Sequence, residues 1–223
     1  MKLSKETIEV LKNFAGINQS IVVNKGSKLK TVNSLKNILA HATVEEDFPK
    51  EFAIYDLTEF LGLISTMEDP ELSFNDSDVT VSSGSRKVKY RYADTDYIVK
   101  PEKDIEMPES EIKFKLNQDV YVNLDKTATI LQLNDVCLKG CEKSNKMFLC
   151  ATNKKNDSSN DYSEEVGEGV PNKFNVVMKK ENLKIVPGDY DVEISSKGIS
   201  HFKNTNSDLE YWIALEPTSE YGE

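Results

Sequence analysis

The hydrophobic pattern opens on an amphipathic helix. At about 100° per residue, Leu3, Thr7, Ile8, Val10, Leu11, Phe14 and Ala15 share one arc, while Lys2, Lys5, Glu6, Glu9, Lys12 and Asn13 share the other. Ser4 is an N-cap residue type, Leu3 and Ile8 hold the staple positions, and Gly16 is expected to stop the helix. Strand-like runs follow at 21–25, 28–33 and 37–44, with a turn at Lys25-Gly26-Ser27. Residues 52–55 read as a buried strand entering a second helix, 57–66. Asp56 and Glu59 have capping-box spacing there, and Tyr55 is placed to staple to Phe60. Strands resume at 71–74, 79–82 and 87–92. The last sets Lys87, Lys89 and Arg91 against Val88, Tyr90 and Tyr92, the alternation of a half-buried strand.

The pattern breaks at 97–111, where Pro101, Pro108 and a run of carboxylates isolate Ile105 and Met107. This is expected to be an extended connector, placed at 101–111, between domains at 1–100 and 112–223. The second half repeats the grammar of the first. A strand at 112–116 leads to a helix with Asn117 as cap and Val120, Leu124, Ala128 and Leu131 at helical spacing. An alternative frame starts that helix later, at Asp125. Strands at 135–140 and 147–152 form a hairpin around Ser144-Asn145, and 153–160 is a polar loop. Strands at 161–166 and 174–178 precede a fourth helix, 180–185, stopped by Pro187-Gly188. Strands at 189–195, 198–203 and 210–216 close the chain. Each half thus reads helix, strands, helix, strands, the signature of a duplicated α+β domain.

Composition narrows the function. Of 223 residues, 28 are basic and 38 acidic, a formal charge of −10. A uniformly basic nucleic-acid binder is excluded, so DNA contact must come from a local patch. The first residues carry no apolar signal core, and no stretch approaches about eighteen apolar residues. No membrane contact is expected, and Cys137, Cys141 and Cys150 are expected to be reduced thiols of a cytoplasmic protein. Cys137 and Cys141 lack the partners of a zinc site, so no metal and no cofactor are expected.

Catalytic patterns are missing. His41 and His201 are isolated from any local nucleophile. Gly167-Glu168-Gly169 is no phosphate loop, and Asn75-Asp76-Ser77-Asp78 lacks the glycine and glutamate of a calcium loop. What stands out is lysine on helix faces left after burial: Lys2, Lys5 and Lys12 on the first, Lys126 on the third, and Lys179, Lys180 and Lys184 on the fourth. Lysines meet phosphates as point charges, which gives weak, salt-sensitive, sequence-blind affinity. The bland alternative is a solubilising surface.

Several segments then become specific. The opening Met-Lys-Leu-Ser-Lys-Glu-Thr, Leu11-Lys12-Asn13-Phe14-Ala15, Phe52-Ala53-Ile54-Tyr55-Asp56-Leu57, Pro187-Gly188-Asp189-Tyr190 and Trp212-Ile213-Ala214-Leu215-Glu216 resemble, in order, the sliding clamps of T-even-type bacteriophages. Lys89-Tyr90-Arg91-Tyr92-Ala93-Asp94 and Ile194-Ser195-Ser196-Lys197-Gly198 are similar to the branch found in phages of marine bacteria. The second helix departs from the expected basic lining, for it has no basic residue.

The resemblance implies a DNA-clamp fold: two similar domains, each with two helices packed on antiparallel sheets, and six domains in a homotrimeric ring. It implies a processivity factor without catalysis, acting in the host cytoplasm. Its partners would be duplex DNA, the replicative DNA polymerase, a clamp loader ATPase and late transcription factors. Subunit contacts would run between a basic edge (Arg86, Lys87, Lys89, Arg91) and an acidic one (Asp161, Glu164, Glu165, Glu168). Partner peptides would insert near Ile105, Met107, Ala214, Leu215 and Pro217. The competing readings are a non-ring β-rich interaction module of a phage particle and, more distantly, a hydrolase built on His41 or His201.

Overall fold

The computed structural model describes residues 1–156, 158–170 and 172–222. Its contacts divide the chain into two compact units, Met1–Asp104 and Ile105–Glu223.

In the first unit, α1 (Lys5–Ile17) buries Thr7, Leu11, Phe14 and Ile17. The Ser4 hydroxyl accepts from the Thr7 N–H at 3.1 Å, satisfying one orphan donor of the first turn. Glu46 completes the cap: its carboxylate accepts from the Ser4 N–H and from the Thr7 hydroxyl. The helix runs one residue past Gly16 and ends at Asn18, whose N–H reaches the Phe14 carbonyl at 2.9 Å. Strands β1 (Ile21–Val23), β2 (Gly26–Val32), β3 (Ile38–Phe48) and β4 (Phe52–Ile54) follow. β1 pairs with β4, and β2 with β3. The second helix, α2 (Leu57–Ser65), is capped by Asp56, which accepts from the Glu59 N–H at 2.9 Å and from the Gln19 amide at 2.7 Å. The expected Tyr55 staple does not form, because Tyr55 is 65% exposed. Tyr90 takes its place, with its ring edge-on to Phe60 at 5.1 Å. A three-stranded antiparallel sheet closes the unit: β5 (Glu71–Phe74), β6 (Asp78–Ser83) and β7 (Arg86–Arg91), in that order.

The second unit begins with β8 (Ile112–Leu116) and α3 (Gln118–Ile130). Asn117 sits at the cap position, but its side chain makes no cap bond. Asp189 accepts from the Gln118 N–H instead, at 2.8 Å. The later start at Asp125 is thereby excluded. α3 buries Tyr121, Leu124 and Ala128. A five-stranded sheet then assembles in the order β11 (Tyr162–Glu168), β10 (Lys146–Thr152), β9 (Asp135–Cys141), β12 (Phe174–Lys179) and β16 (Glu220–Tyr221). The β9–β10 turn holds Asn145 at φ 55, a left-handed conformation that asparagine tolerates. β16 has no counterpart in the hydrophobic pattern. It is seated by the Phe174 ring, which lies over Gly140 and stacks on Tyr221 at 6.1 Å. Further along, β13 (Tyr190–Ser195) pairs with β8 and with β14 (Ile199–Asn204), and β14 pairs with β15 (Leu209–Ala214).

The expected fourth helix is not formed. Lys179 ends β12, and only a single 3₁₀ turn, Lys180–Asn182, follows. Beyond that turn the Leu183 carbonyl has no donor four residues on, where Pro187 lacks an N–H. The Tyr121 hydroxyl donates there instead, at 3.1 Å, and also meets the Ile185 carbonyl at 3.1 Å. The Val186 N–H goes to the Tyr211 hydroxyl at 3.2 Å. Two tyrosines from other elements thus hold the segment in an irregular path.

Candidate nucleic-acid interface

The seven lysines singled out from the sequence divide into two kinds. Lys5 and Lys12 stand on the exposed face of α1, with Glu9, above a groove of about 330 Å³ floored by Ile8, Leu61, Ile64 and Met67. Among the described residues neither makes an ion pair, and the same holds for Lys126, exposed on α3. These three ammoniums are available to an anion from solvent.

Three others have carboxylate partners in the same chain, Lys2 in an exposed pair and Lys179 and Lys180 in partly buried ones. Lys2 hydrogen-bonds to Asp69 and lies 3.9 Å from Glu71; the Asp69 bond raises its pKa above the ordinary lysine value. Lys180 pairs with Asp125 of α3 at 2.9 Å. Lys179 hydrogen-bonds to Asp135, whose side chain is 3% exposed, and lies 3.8 Å from Glu216. The Asp135 bond raises the pKa of Lys179. For Asp135 itself, burial is the largest single influence and pushes the carboxyl up. The Lys179 bond, the Lys154 N–H at 3.0 Å and the nearby lysine charges together outweigh it, so the group lies below the usual carboxylate range. Lys184 is exposed beyond the 3₁₀ turn. The partners Asp69, Asp125, Asp135 and Glu216 lie far from their lysines along the chain, and no spacing in the sequence signals them.

The two charged strands are both sheet edges. β7 ends the three-stranded sheet, and β11 ends the five-stranded one. Among the described residues no strand pairs with the outer side of either. β7 exposes Arg86, Lys87, Lys89 and Arg91. Arg91 is partly engaged, 3.8 Å from Asp78 and 3.2 Å from the Ser77 hydroxyl. On β11, Glu165 pairs with Lys146 at 2.7 Å, Glu164 accepts from the Tyr162 hydroxyl, and Glu168 ends the strand; Asp161 precedes it. Unpaired edges invite another strand, and these two carry opposite charge.

The peptide candidates are half-buried, except for exposed Pro217: Ile105 and Met107 lie in the irregular stretch before β8, Ala214 ends β15, and Leu215 follows it. The Leu215 N–H is bonded to the Gly198 carbonyl at 2.9 Å. A concavity of about 860 Å³ lies on the five-stranded sheet and includes Cys141, Phe148, Cys150 and Phe174. Neither histidine lines it. His201 is stacked on Trp212 at 4.6 Å and bonded to Glu210 at 2.6 Å, a carboxylate–imidazole pair. Among the described residues no cluster of three or more metal-ligating side chains occurs, and no helix is long and apolar enough to cross a membrane.

The geometry so far is that of an α+β protein with a few available ammoniums on helices and two charged open edges. Comparison with known proteins gives that class its family. Residues 4–100 match the family described as DNA polymerase processivity factor, and residues 109–217 match the gp45 sliding clamp, C terminal. The sliding clamp of Vibrio phage KVP40 is 37% identical over 221 residues, covering 97% of this chain and 99% of the relative. That of Escherichia phage RB69 is 30% identical, covering 98% of each. Among solved structures, A. fulgidus PCNA, bound to the C-terminal region of FEN-1, superposes with a TM-score of 0.71 at 14% identity over 98% of both chains, which establishes likeness of fold. The chain belongs to the sliding-clamp family of T4-like phages: it is a DNA polymerase processivity factor, a non-enzymatic scaffold.

Proposed function

We propose that this chain is one of three identical subunits of a closed ring that encircles duplex DNA without regard to sequence and tethers the replicative polymerase. The observation that carries the reading is the pair of open edges, basic β7 and acidic β11, on one chain. Two different edges on one subunit make a head-to-tail contact, which closes only if the rotation closes. Pairing β7 of one copy with β11 of the next would satisfy both edges at once, with opposite charge setting the partner. Lys5, Lys12 and Lys126 would then supply phosphate attraction weak enough for sliding. Residues 101–111 would connect clamp domains at 1–100 and 112–223. Partner peptides would dock by Ile105, Met107, Ala214, Leu215 and Pro217; A. fulgidus PCNA, similar in fold, binds the C-terminal region of FEN-1. A clamp loader ATPase would open the ring, and late transcription factors would share its peptide site.

The test is mass in solution, by light scattering at low salt. A particle near three times 25.2 kDa is expected. A single-chain mass at micromolar concentration would replace the ring with a non-ring interaction module.

A further inference from the structure

The solvent-facing side of the β2–β3 hairpin carries a basic cluster at its loop end, while Glu45 and Asp47 are exposed further along β3. Lys28 lies opposite Thr43, and Lys30 opposite His41. Because alternate residues share a face, Lys28, Lys30 and His41 form one cluster, with Leu29 and Ala42 turned the other way into the core. Lys28 is exposed and makes no ion pair among the described residues. The Lys30 ammonium is taken by the carboxylate of Asp104. Asp104 belongs to the stretch that leaves the first unit, and that stretch is strapped over the hairpin. The Asn18 amide donates to both the Val32 carbonyl, at 2.9 Å, and the Val99 carbonyl, at 3.1 Å. Lys36 lies 3.6 Å from Glu102. The Lys30 bond, chiefly, and the neighbouring charges of His41 and Lys28 hold the Asp104 carboxyl below its usual range.

The cluster therefore already displays the ligand it accepts. Asp104 is 76% exposed and is held by an ion pair in contact with water, the kind of contact that is individually weak and readily exchanged. We propose that Lys28, Lys30 and His41 form a receiving site for an acidic side chain of an incoming partner peptide, and that Asp104 occupies this site until the peptide displaces it. The inference rests on the reading that peptides dock beside the connector, and it adds the chemistry they bring. A nucleic acid suits the site less well. Glu102 lies on the same strap and would repel a polyanion laid along the hairpin, whereas a peptide need supply only one carboxylate in place of Asp104.

The test uses the full chain and two fluorescein-labelled hexapeptides, (Glu-Leu)₃ and (Ser-Leu)₃, with anisotropy read at low salt. The acidic peptide should bind more tightly than the serine peptide. Asp104→Asn should tighten it about two- to fivefold, the range an exposed pair supports. Lys28→Ser with Lys30→Ser should reduce it to the level of the serine peptide, and the advantage should vanish near 0.5 M salt, where screening is short-ranged. Should the double variant melt early, Asp104→Asn alone decides. Equal binding of both peptides to all three proteins would overturn this inference and leave docking beside the connector intact. Failure of both peptides to bind would overturn the docking reading with it. A labelled oligonucleotide that competes with (Glu-Leu)₃ and depends equally on Lys28 and Lys30 would reassign the patch to nucleic acid and overturn the inference as well.

Discussion

Lys5 and Lys12 are expected to matter to DNA, and Lys2 and Lys180 are not, although all four belong to the same sequence-level set. The perturbation is a matched pair of double variants: Lys5→Ala with Lys12→Ala, and Lys2→Ala with Lys180→Ala. Each removes two positive charges per chain, so the long-range field changes equally. The difference is local. The α1 ammoniums make no ion pair among the described residues, while Lys2 and Lys180 are held by Asp69 and Asp125. Each phosphate neutralised contributes about −0.9 to the slope of log K against log salt. In a ring, a duplex leans on part of the wall at a time, so about two contacts are lost with the α1 pair. The slope should then flatten by about 2, and between 50 and 200 mM salt the variant should lose about tenfold less affinity than the parent. The assay is anisotropy of a labelled duplex across that range, with light scattering to confirm equal assembly. The Lys2/Lys180 variant should keep the parental slope. If both doubles flatten the slope equally, net charge alone governs binding, and the division between spent and available lysines is wrong.

Asp135→Asn should destabilise the chain by about 3 kcal/mol at pH 7, the lower end of the range for breaking a buried pair, because Lys179 is 29% exposed and keeps Glu216 at 3.8 Å. The folded carboxyl lies below its unfolded value of about 3.9, so its stabilisation is present above that pH and fades as pH falls through the folded pKa. Urea melts of parent and variant should therefore differ at pH 7, and the gap should begin to close only below about pH 4; a constant gap would show that charge is not the source. At the edges, Lys87→Glu with Lys89→Glu should dissociate the ring at low concentration, since opposite-charge cross-strand pairs are worth about 0.2–1 kcal/mol each and like charges oppose pairing. Arg91 is left in place because Asp78 and Ser77 already engage it. Asp161→Lys with Glu168→Lys on the same chain, which spares the engaged Glu164 and Glu165, should restore the trimer by light scattering, and an unaffected trimer in the first variant would exclude charge as the pairing determinant.

What could be read along the chain was whatever is settled within a turn or a strand. The Ser4 cap, the buried arc of α1, the Asp56 cap of α2 and the Lys87–Lys89–Arg91 alternation depend on neighbours three or four residues away at most. The misreadings share a different cause. Lys179, Lys180 and Lys184 look like one helix face, yet Tyr121, some sixty residues earlier, bonds the Leu183 and Ile185 carbonyls, Tyr211 takes the Val186 N–H, and the helix does not form. Tyr55 was placed to staple Phe60, but Tyr90, from a strand on the far side of α2 in sequence, covers that ring. β16 exists because the Phe174 ring over Gly140 offers it a seat, and a two-residue strand has no period to detect.

Charge pairing is the long-range property that bears most on function. Residue type suggested seven phosphate-seeking lysines; partners supplied by Asp69, Asp125 and Asp135 withdraw three of them. For a protein that held DNA by affinity this would be a defect, since each lost contact lowers the binding constant. For a ring the argument reverses. In the proposed ring encirclement would supply retention, so lining charge need only exceed the repulsion of a body with a net charge of −10. Every further ammonium would add to the barrier each step along the duplex must cross. On that view the internal pairing of Lys2, Lys179 and Lys180 converts charge that would slow sliding into bonds that fix α1, α3 and β12 in place. Releasing it should show the cost: Asp125→Ala, which frees Lys180, should raise the affinity for duplex and steepen its salt dependence, with slower diffusion along DNA in single-particle tracking. A clamp that bound more tightly and slid no more slowly would refute the link.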